Sequence, residues 1–386
     1  MTEFLSYGKQ WIDEEDIQNV RTALTSDFLT QGPKIAEFEQ TLGRYTGARY
    51  CLAVANGTAA LHLAVAALDL AADTEGITST LSFVASSNAM IYNNIKPVFA
   101  DIDPRTYLID YSDLEKRITP ATRLILPVHF AGQPADMKKI KLLAEKYKCA
   151  VIEDAAHAIG SRYHDGSMVG NCRYADLTIF SFHPVKTITT GEGGAITTNN
   201  PAIHEKLLLL RNHGLTREPR QLANHPGPWY YEMRLLGYNY RLTDLQAALG
   251  LSQLNKLDRF IRRRREIVQR YNTAFASIPW ITIPYEQKQV FSAFHLYVLG
   301  IDFEKIKKTR AQVMETLKMK NIGTQVHYIP IHTQPYYQER YHYRWGDYPN
   351  AERYYQQALS IPLYPKLTDA QVQYVIDSIL ELEHAK

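Results

Sequence analysis

Lys186 is the side chain whose surroundings most suggest covalent chemistry. It ends the stretch Phe180-Ser181-Phe182-His183-Pro184-Val185-Lys186 and is followed by Thr189-Thr190-Gly191-Glu192-Gly193-Gly194, a short connector between two apolar runs. A lysine on a loop is ordinarily a solvated charge. Desolvated, or set beside another cation, its amine loses a proton near neutral pH and supports Schiff-base chemistry. One structural unit earlier, Val151-Ile152-Glu153-Asp154-Ala155-Ala156-His157 delivers Asp154 at the carboxyl end of an apolar run, with His157 just beyond it. A carboxylate carried there on a buried strand is costly unless it meets a cation or a strong donor. Capping a following helix is its plainer use. A third stretch, Asn56-Gly57-Thr58-Ala59-Ala60, reads as a strand-to-helix turn. Its glycine permits close backbone approach and its threonine hydroxyl joins the free N–H groups of a helix start, which suits an anion; an ordinary N-cap threonine gives the same string.

To bring these stretches together the chain needs strands that end near one another. Between about Tyr50 and Thr198 short apolar runs alternate with amphipathic ones, the pattern of a largely parallel sheet with helices on both faces. The runs predict strands over Tyr50 to Ala55, Pro97 to Ile102, Leu124 to His129, Ala150 to Asp154, Leu177 to Phe182 and Ala195 to Thr198. They predict helices over Thr58 to Leu68, Ser86 to Asn93, Asp136 to Lys146 and Pro201 to Asn212. Ligands of such open sheets bind at the strand ends, where the loaded residues lie. Near residue 240 the pattern changes. Thr243-Asp244-Leu245-Gln246 opens a long helical pattern through Leu251, Leu254 and Leu257 to Ile267, with a T-x-x-Q capping box, and this helix is expected to join two domains. A strand-like Phe294 to Leu299, a helical Phe303 to Met319, an extended Gly323 to Ile331 and closing helices near Ala351 and Thr368 make a smaller α+β unit.

Length and composition narrow the field of functions. A chain of 386 residues allows two or three domains, and 45% hydrophobic, 22% charged and 11% aromatic residues suit a soluble globular protein. The net charge of +3 is too slight to mark a nucleic-acid binder. Cys51, Cys149 and Cys172 are odd in number and widely spaced, which suggests neither a disulfide framework nor a zinc site and fits a reducing cytoplasm. Met1 to Gln10 has no apolar signal core, and no apolar run approaches the roughly 18 residues of a membrane span. Walker A, H-E-x-x-H and G-x-S-x-G strings are absent, and no metal site is expected. The Arg262 to Arg265 run reads as a solvated helix face, and the Tyr-rich stretch from Tyr336 to Tyr355 as packing.

A phosphate-binding turn, an aspartate for a ring nitrogen and a lysine for an imine are the groups that pyridoxal phosphate requires. With them, the chain resembles the DegT/DnrJ/EryC1/StrS family of sugar-nucleotide aminotransferases over nearly its whole length, the S-F-H-P-V-K…T-x-G-E-G-G string being the most specific mark. The resemblance implies a fold-type-I pyridoxal-phosphate architecture: residues 1–250 as a large cofactor-binding domain with an N-terminal arm, and residues 251–386 as a small C-terminal domain. It implies Lys186 as the lysine that carries the cofactor and later shuttles a proton, Asp154 as the partner of the pyridinium N–H, and His157 near the phenolic oxygen. Gly57, Thr58, Ala59 and Ser181 would hold the phosphate. Phe83, which packing alone would make a core residue, would stack on the pyridine ring. Asn239, in Gly237-Tyr238-Asn239-Tyr240-Arg241, matches the asparagine that reaches the phosphate from the neighbouring subunit, implying a homodimer with shared sites. Dehydratase relatives carry histidine where Lys186 stands, so the resemblance is to the aminotransferases.

Within that family, Leu29-Thr30-Gln31-Gly32, Ser82-Phe83-Val84-Ala85, Ser181 to Glu192 and Gln325-Val326-His327-Tyr328-Ile329-Pro330 look most similar to the branch that serves pseudaminic acid biosynthesis. That likeness implies amino transfer from an amino acid, glutamate, to C4 of a UDP-linked 4-keto-6-deoxy-N-acetyl sugar, the alternative being another UDP- or dTDP-keto sugar. It makes Tyr7, Gln31, His327 and Tyr328 candidates for the sugar-nucleotide site, with domain contact as their other use.

Overall fold

The apolar runs of the N-terminal half become the strands of one sheet. The computed structural model describes residues 3–383. Seven strands, β1 (Tyr50–Val54), β2 (Glu75–Ser79), β3 (Lys96–Ala100), β4 (Thr122–Leu126), β5 (Ala150–Asp154), β6 (Leu177–Ser181) and β7 (Gly194–Thr198), lie in the order β1-β7-β6-β5-β4-β2-β3. From β3 to β6 all neighbours are parallel, and β7 runs antiparallel between β6 and β1. Both faces are covered, which is why the strands read as near-continuous apolar runs. Ala53, Ile125 and Val151 face a layer that includes the helices Pro33–Thr46 and Met137–Tyr147, while Leu52, Leu124 and Ile152 face the helices Gly57–Ala66, Ala85–Tyr92 and Pro201–Arg211.

Two local differences from the sequence pattern have simple causes. β2, Glu-Gly-Ile-Thr-Ser, is a central strand with one large apolar residue, Ile77, so hydrophobic periodicity does not mark it. β4 stops at Leu126 rather than running to His129 because Pro127 has no N–H for the ladder.

The capping box at Thr243 is present, but the long helical pattern that follows it breaks at Lys256 into the helices Asp244–Asn255 and Leu257–Phe275. The second of these enters both hydrophobic cores: Leu257, Phe260 and Ile261 pack under the large sheet, and Ile267, Val268, Tyr271 and Phe275 pack in the C-terminal core. There they meet the three-stranded antiparallel sheet Ile281–Thr282, Tyr297–Ile301 and Ala358–Ile361. Leu5, from the N-terminal arm, belongs to that C-terminal core and bridges Ile322. The arginine run is not a uniformly solvated face, since Arg264 is 0% exposed. Four consecutive helical residues point in four directions, and one of these points inward. In the Tyr-rich stretch Tyr337, Tyr348 and Tyr354 are buried in one cluster with Phe99, as packing predicts.

Candidate active site

A cavity of about 880 Å³ opens where the parallel strands end, within the size range of small-molecule sites. Asp154 is the last residue of β5 and 5% exposed. Its Oδ2 accepts from Ser86 Oγ at 2.6 Å and its Oδ1 from the Ala156 N–H at 3.1 Å, while Ser82 Oγ lies 2.7 Å from Ser86 Oγ. The residues after Asp154 turn without forming a helix, which rules out the capping use.

Lys186 lies half-buried on the β6–β7 connector, in a turn closed by its N–H donating to the His183 carbonyl at 2.8 Å. Burial pushes its amine down to about 8, against the opposing pull of the Asp154 charge. At pH 7 about one amine in ten is then unprotonated, against fewer than about one in a thousand for an ordinary lysine.

The turn after β1 is a cradle. Asn56 is the N-cap, its side chain accepting from the Ala59 N–H at 2.8 Å, so the N-cap reading of Thr58 falls. Thr58 sits inside the first helical turn, exposed to the cavity. A Cβ at Gly57 would lie 2.8 Å from Ser181 Cβ and 3.0 Å from its Oγ, and one at Gly194 2.5 Å from the Asn56 carbonyl oxygen. The two glycines therefore let the ends of β1, β6 and β7 converge, setting hydroxyls and first-turn N–H groups around one point.

The other wall is aromatic. His157 is buried, with Nε2 3.1 Å from the Tyr328 hydroxyl; burial and then the nearby Lys186 and His327 push its pKa far down. His327 shares its Nδ1 with Ser360 Oγ at 2.8 Å and is pushed by burial and Lys186 to about 3. Burial raises Tyr328 and Tyr7, and the Tyr7 ring lies 5.0 Å from that of His327. Phe83 is 57% exposed and lines the cavity, which excludes a place in the core.

The fold thus gathers Tyr7, Gly57, Thr58, Ala59, Phe83, Asp154, His157, Ser181, Lys186, His327 and Tyr328 onto one cavity. It does not bring in Gln31 or Asn239. Gln31 lines a separate cavity of about 540 Å³ with Arg211, Asn212 and Arg241, and Asn239 is exposed, its backbone bridging Asn212. Two residues lining the cavity escaped sequence reasoning: Ser86, on the helix Ala85–Tyr92, which donates to Asp154, and His295, on a segment remote in sequence. Neither carries a local mark. The residues present fit pyridoxal phosphate: an anion cradle kept open by Gly57, a buried carboxylate and a partly deprotonated lysine share one cavity with an unpacked aromatic ring.

A family model described as the DegT/DnrJ/EryC1/StrS aminotransferase family matches residues 10–380. The spore coat polysaccharide biosynthesis protein SpsC of Bacillus subtilis (strain 168) is 42% identical over 380 residues, covering 98% of this chain and 97% of SpsC. Among solved structures, Helicobacter pylori PseC, an aminotransferase involved in the biosynthesis of pseudoaminic acid, matches with a TM-score of 0.92 at 32% identity over 99% of this chain and 100% of that one. Spr1654 of Streptococcus pneumoniae matches in its PLP form with a TM-score of 0.90 at 30% identity, covering 99% of each chain.

Proposed function

Since the chain belongs to the DegT/DnrJ/EryC1/StrS aminotransferase family and is a pyridoxal-phosphate-dependent sugar aminotransferase, we propose that it moves an amino group from glutamate to C4 of a UDP-linked 4-keto-6-deoxy-N-acetyl sugar, a step of pseudaminic acid biosynthesis. The observation that carries the chemistry is Lys186, a lysine whose amine is held near 8 in the same cavity as the buried Asp154. The sugar is supported by the full-length likeness to PseC.

The cofactor, when bound, supplies an aldehyde that takes up the amine and a ring that withdraws electrons. Asp154, oriented by Ser86 and the Ala156 N–H, offers its carboxylate to a protonated ring nitrogen and favours the charged form. Gly57, Thr58 and Ser181 bind the phosphate. Lys186 accepts and returns a proton at Nζ, which its lowered basicity near neutral pH allows. His157 and His327, kept uncharged by burial and by Lys186 itself, do not compete for that proton. Phe83 and Tyr328, with ring centroids 6.0 Å apart, offer the aromatic wall against which the cofactor ring packs. Tyr7, His327 and Tyr328, which line the same cavity, meet the sugar nucleotide. Gln31 and Asn239 act in the site of a partner copy, making the working unit a homodimer. Three free cysteines suit a reducing compartment, and we place the enzyme in the cytoplasm; among the described residues no helix is long and apolar enough to cross a membrane.

The test is incubation with glutamate and a panel of UDP- and dTDP-linked keto sugars, with products resolved by NMR. The expected product is the 4-amino sugar on UDP. Preference for a dTDP sugar, or amination at another carbon, overturns the substrate assignment and leaves the aminotransferase chemistry in place.

A further inference from the structure

His295 lies in the wall beside Lys186 and has no part in the chemistry above. It precedes the strand Tyr297–Ile301, is 3% exposed, and its imidazole centroid lies 4.4 Å from that of His157 with the planes at 44°. His157 engages the Tyr328 hydroxyl, and Tyr328 faces Phe83. A row of packed rings therefore runs from His295 through His157 and Tyr328 to Phe83, all of them lining the cavity.

The backbone of His295 is tied down on both sides. Its N–H donates to the Ala131 carbonyl at 2.9 Å, and its carbonyl accepts from Arg264 Nη1 at 3.1 Å. The same nitrogen donates to the Leu363 carbonyl at 2.8 Å and to that of Phe294 at 3.4 Å. Arg264 is wholly buried and has no carboxylate partner among the described residues. A guanidinium removed from water without a counter-charge is costly, and the contacts obtained for that cost join the His295 loop to the long helix Leu257–Phe275 and to Leu363. The charged and titratable groups that face His295 are His157, Lys186, Arg264 and His327; burial first, and then these neighbours, leave it uncharged beside an uncharged His157. Neither Nδ1 has a partner, so the two imidazoles meet by ring packing and not by a hydrogen bond.

We propose that His295 is a positioning residue of the active site, whose ring, on a backbone pinned by Arg264 and Ala131, fixes the plane of His157 and through it the Tyr328 hydroxyl. Of the rings around His157, that of His295 is the nearest, at 4.4 Å against 6.1 Å for Tyr328 and 6.2 Å for Phe130, and misplacement of about 1 Å costs reactions of this kind on the order of 100-fold.

Two variants separate the ring from its nitrogens: His295→Phe keeps the ring, and His295→Asn keeps a polar atom and loses most of the stacking surface. The holoenzyme is read by the absorption maximum of its bound pyridoxal phosphate and by the rate of cofactor loss on dialysis, neither of which depends on turnover or on the sugar. His295→Phe should match wild type in both. His295→Asn should shift the band, lose cofactor about 10-fold faster and lower kcat about 100-fold with the KM for glutamate little changed. In a His157→Asn background the second substitution should add nothing, because the effect runs through His157. If His295→Asn does not fold, His295→Leu takes its place in the cycle. A wild-type band and dialysis rate in the ring-less variant, a Phe variant as altered as the Asn one, or additive effects in the double variant overturn the proposal.

Discussion

Replacing Asp154 by Asn removes one charge from the cavity and almost nothing else. The carboxylate is 5% exposed and accepts from Ser86 Oγ and the Ala156 N–H. An asparagine amide fills the same space, its oxygen can still accept from the Ala156 N–H, and the Ser86 hydroxyl can turn to accept from the amide N–H. The cost to folding should therefore stay within about 1 kcal/mol. The chemistry loses an ion pair to the protonated ring nitrogen. At about 4 Å and an effective dielectric constant of about 20 such a pair is worth about 4 kcal/mol, which is about 1,000-fold in rate if it is realised in the transition state. The Asp154 charge also holds the Lys186 amine up, so its loss should move the acidic limb of the pH–rate profile to lower pH. The assay is the half-reaction with glutamate followed by absorbance in a single turnover, with cofactor occupancy and thermal midpoint measured on the same sample. Asp154→Asn protein that is fully loaded, folded and within about 10-fold of the wild-type rate would refute the ion-pair role and the geometry behind it.

Lys186→Ala should abolish turnover and the visible band of lysine-bound cofactor while leaving the fold intact; retained turnover near the wild-type rate would sink the assignment. The same lysine predicts a pH effect on the apoprotein. Its amine is held near 8 in the folded chain against 10.5 unfolded, so the unfolded state binds more protons between these values and stability rises with pH through that window, by up to about 3 kcal/mol. Chemical denaturation from about pH 7.5 to 10.5 should show wild type gaining stability relative to Lys186→Met, the buried tyrosines acting alike in both proteins, and parallel pH profiles would refute it. Gly57→Ala places a Cβ 2.8 Å from Ser181 Cβ and should weaken cofactor binding about 10-fold or more in an otherwise folded protein, because the crowding of about 1–3 kcal/mol falls on the cradle; an unchanged titration with pyridoxal phosphate would remove the cradle from that turn. Finally, Lys186→Ala and Asn239→Asp chains should each be poorly active alone and recover activity when co-expressed, because one of the two shared sites in a mixed dimer is then wild type. Verified mixed dimers as inactive as their parents would confine Asn239 to its own chain.

Much of this site could be read from the chain because its residues sit where local pattern is strongest. Asp154 ends an apolar strand whose bounds were legible as a buried run, Ser181 ends another that was expected to reach Phe182, and Lys186 follows between a proline and a glycine-rich turn. In an open parallel sheet every such end points to the same edge. The glycine at 57 and the order of strands and helices belong to the same local grammar of turns and periods. Beyond that edge the local pattern is silent. Nothing near Glu75 marks a central strand, because β2 is stabilised by its neighbours and not by its own apolar content. Nothing near Ser86 or His295 announces Asp154 or His157, because those contacts cross from another helix and another core. Arg264 reads as one of four surface arginines until the packing of the long helix against the His295 loop turns it inward. Nor does the sequence separate Gln31 and Asn239 from the residues of the chain's own cavity, a division made by the folded surface. Residue type and short-range spacing specified which groups could do the chemistry and which strand ends would present them. The partners that orient those groups come from contacts between segments distant in the chain, and only tertiary packing decides these.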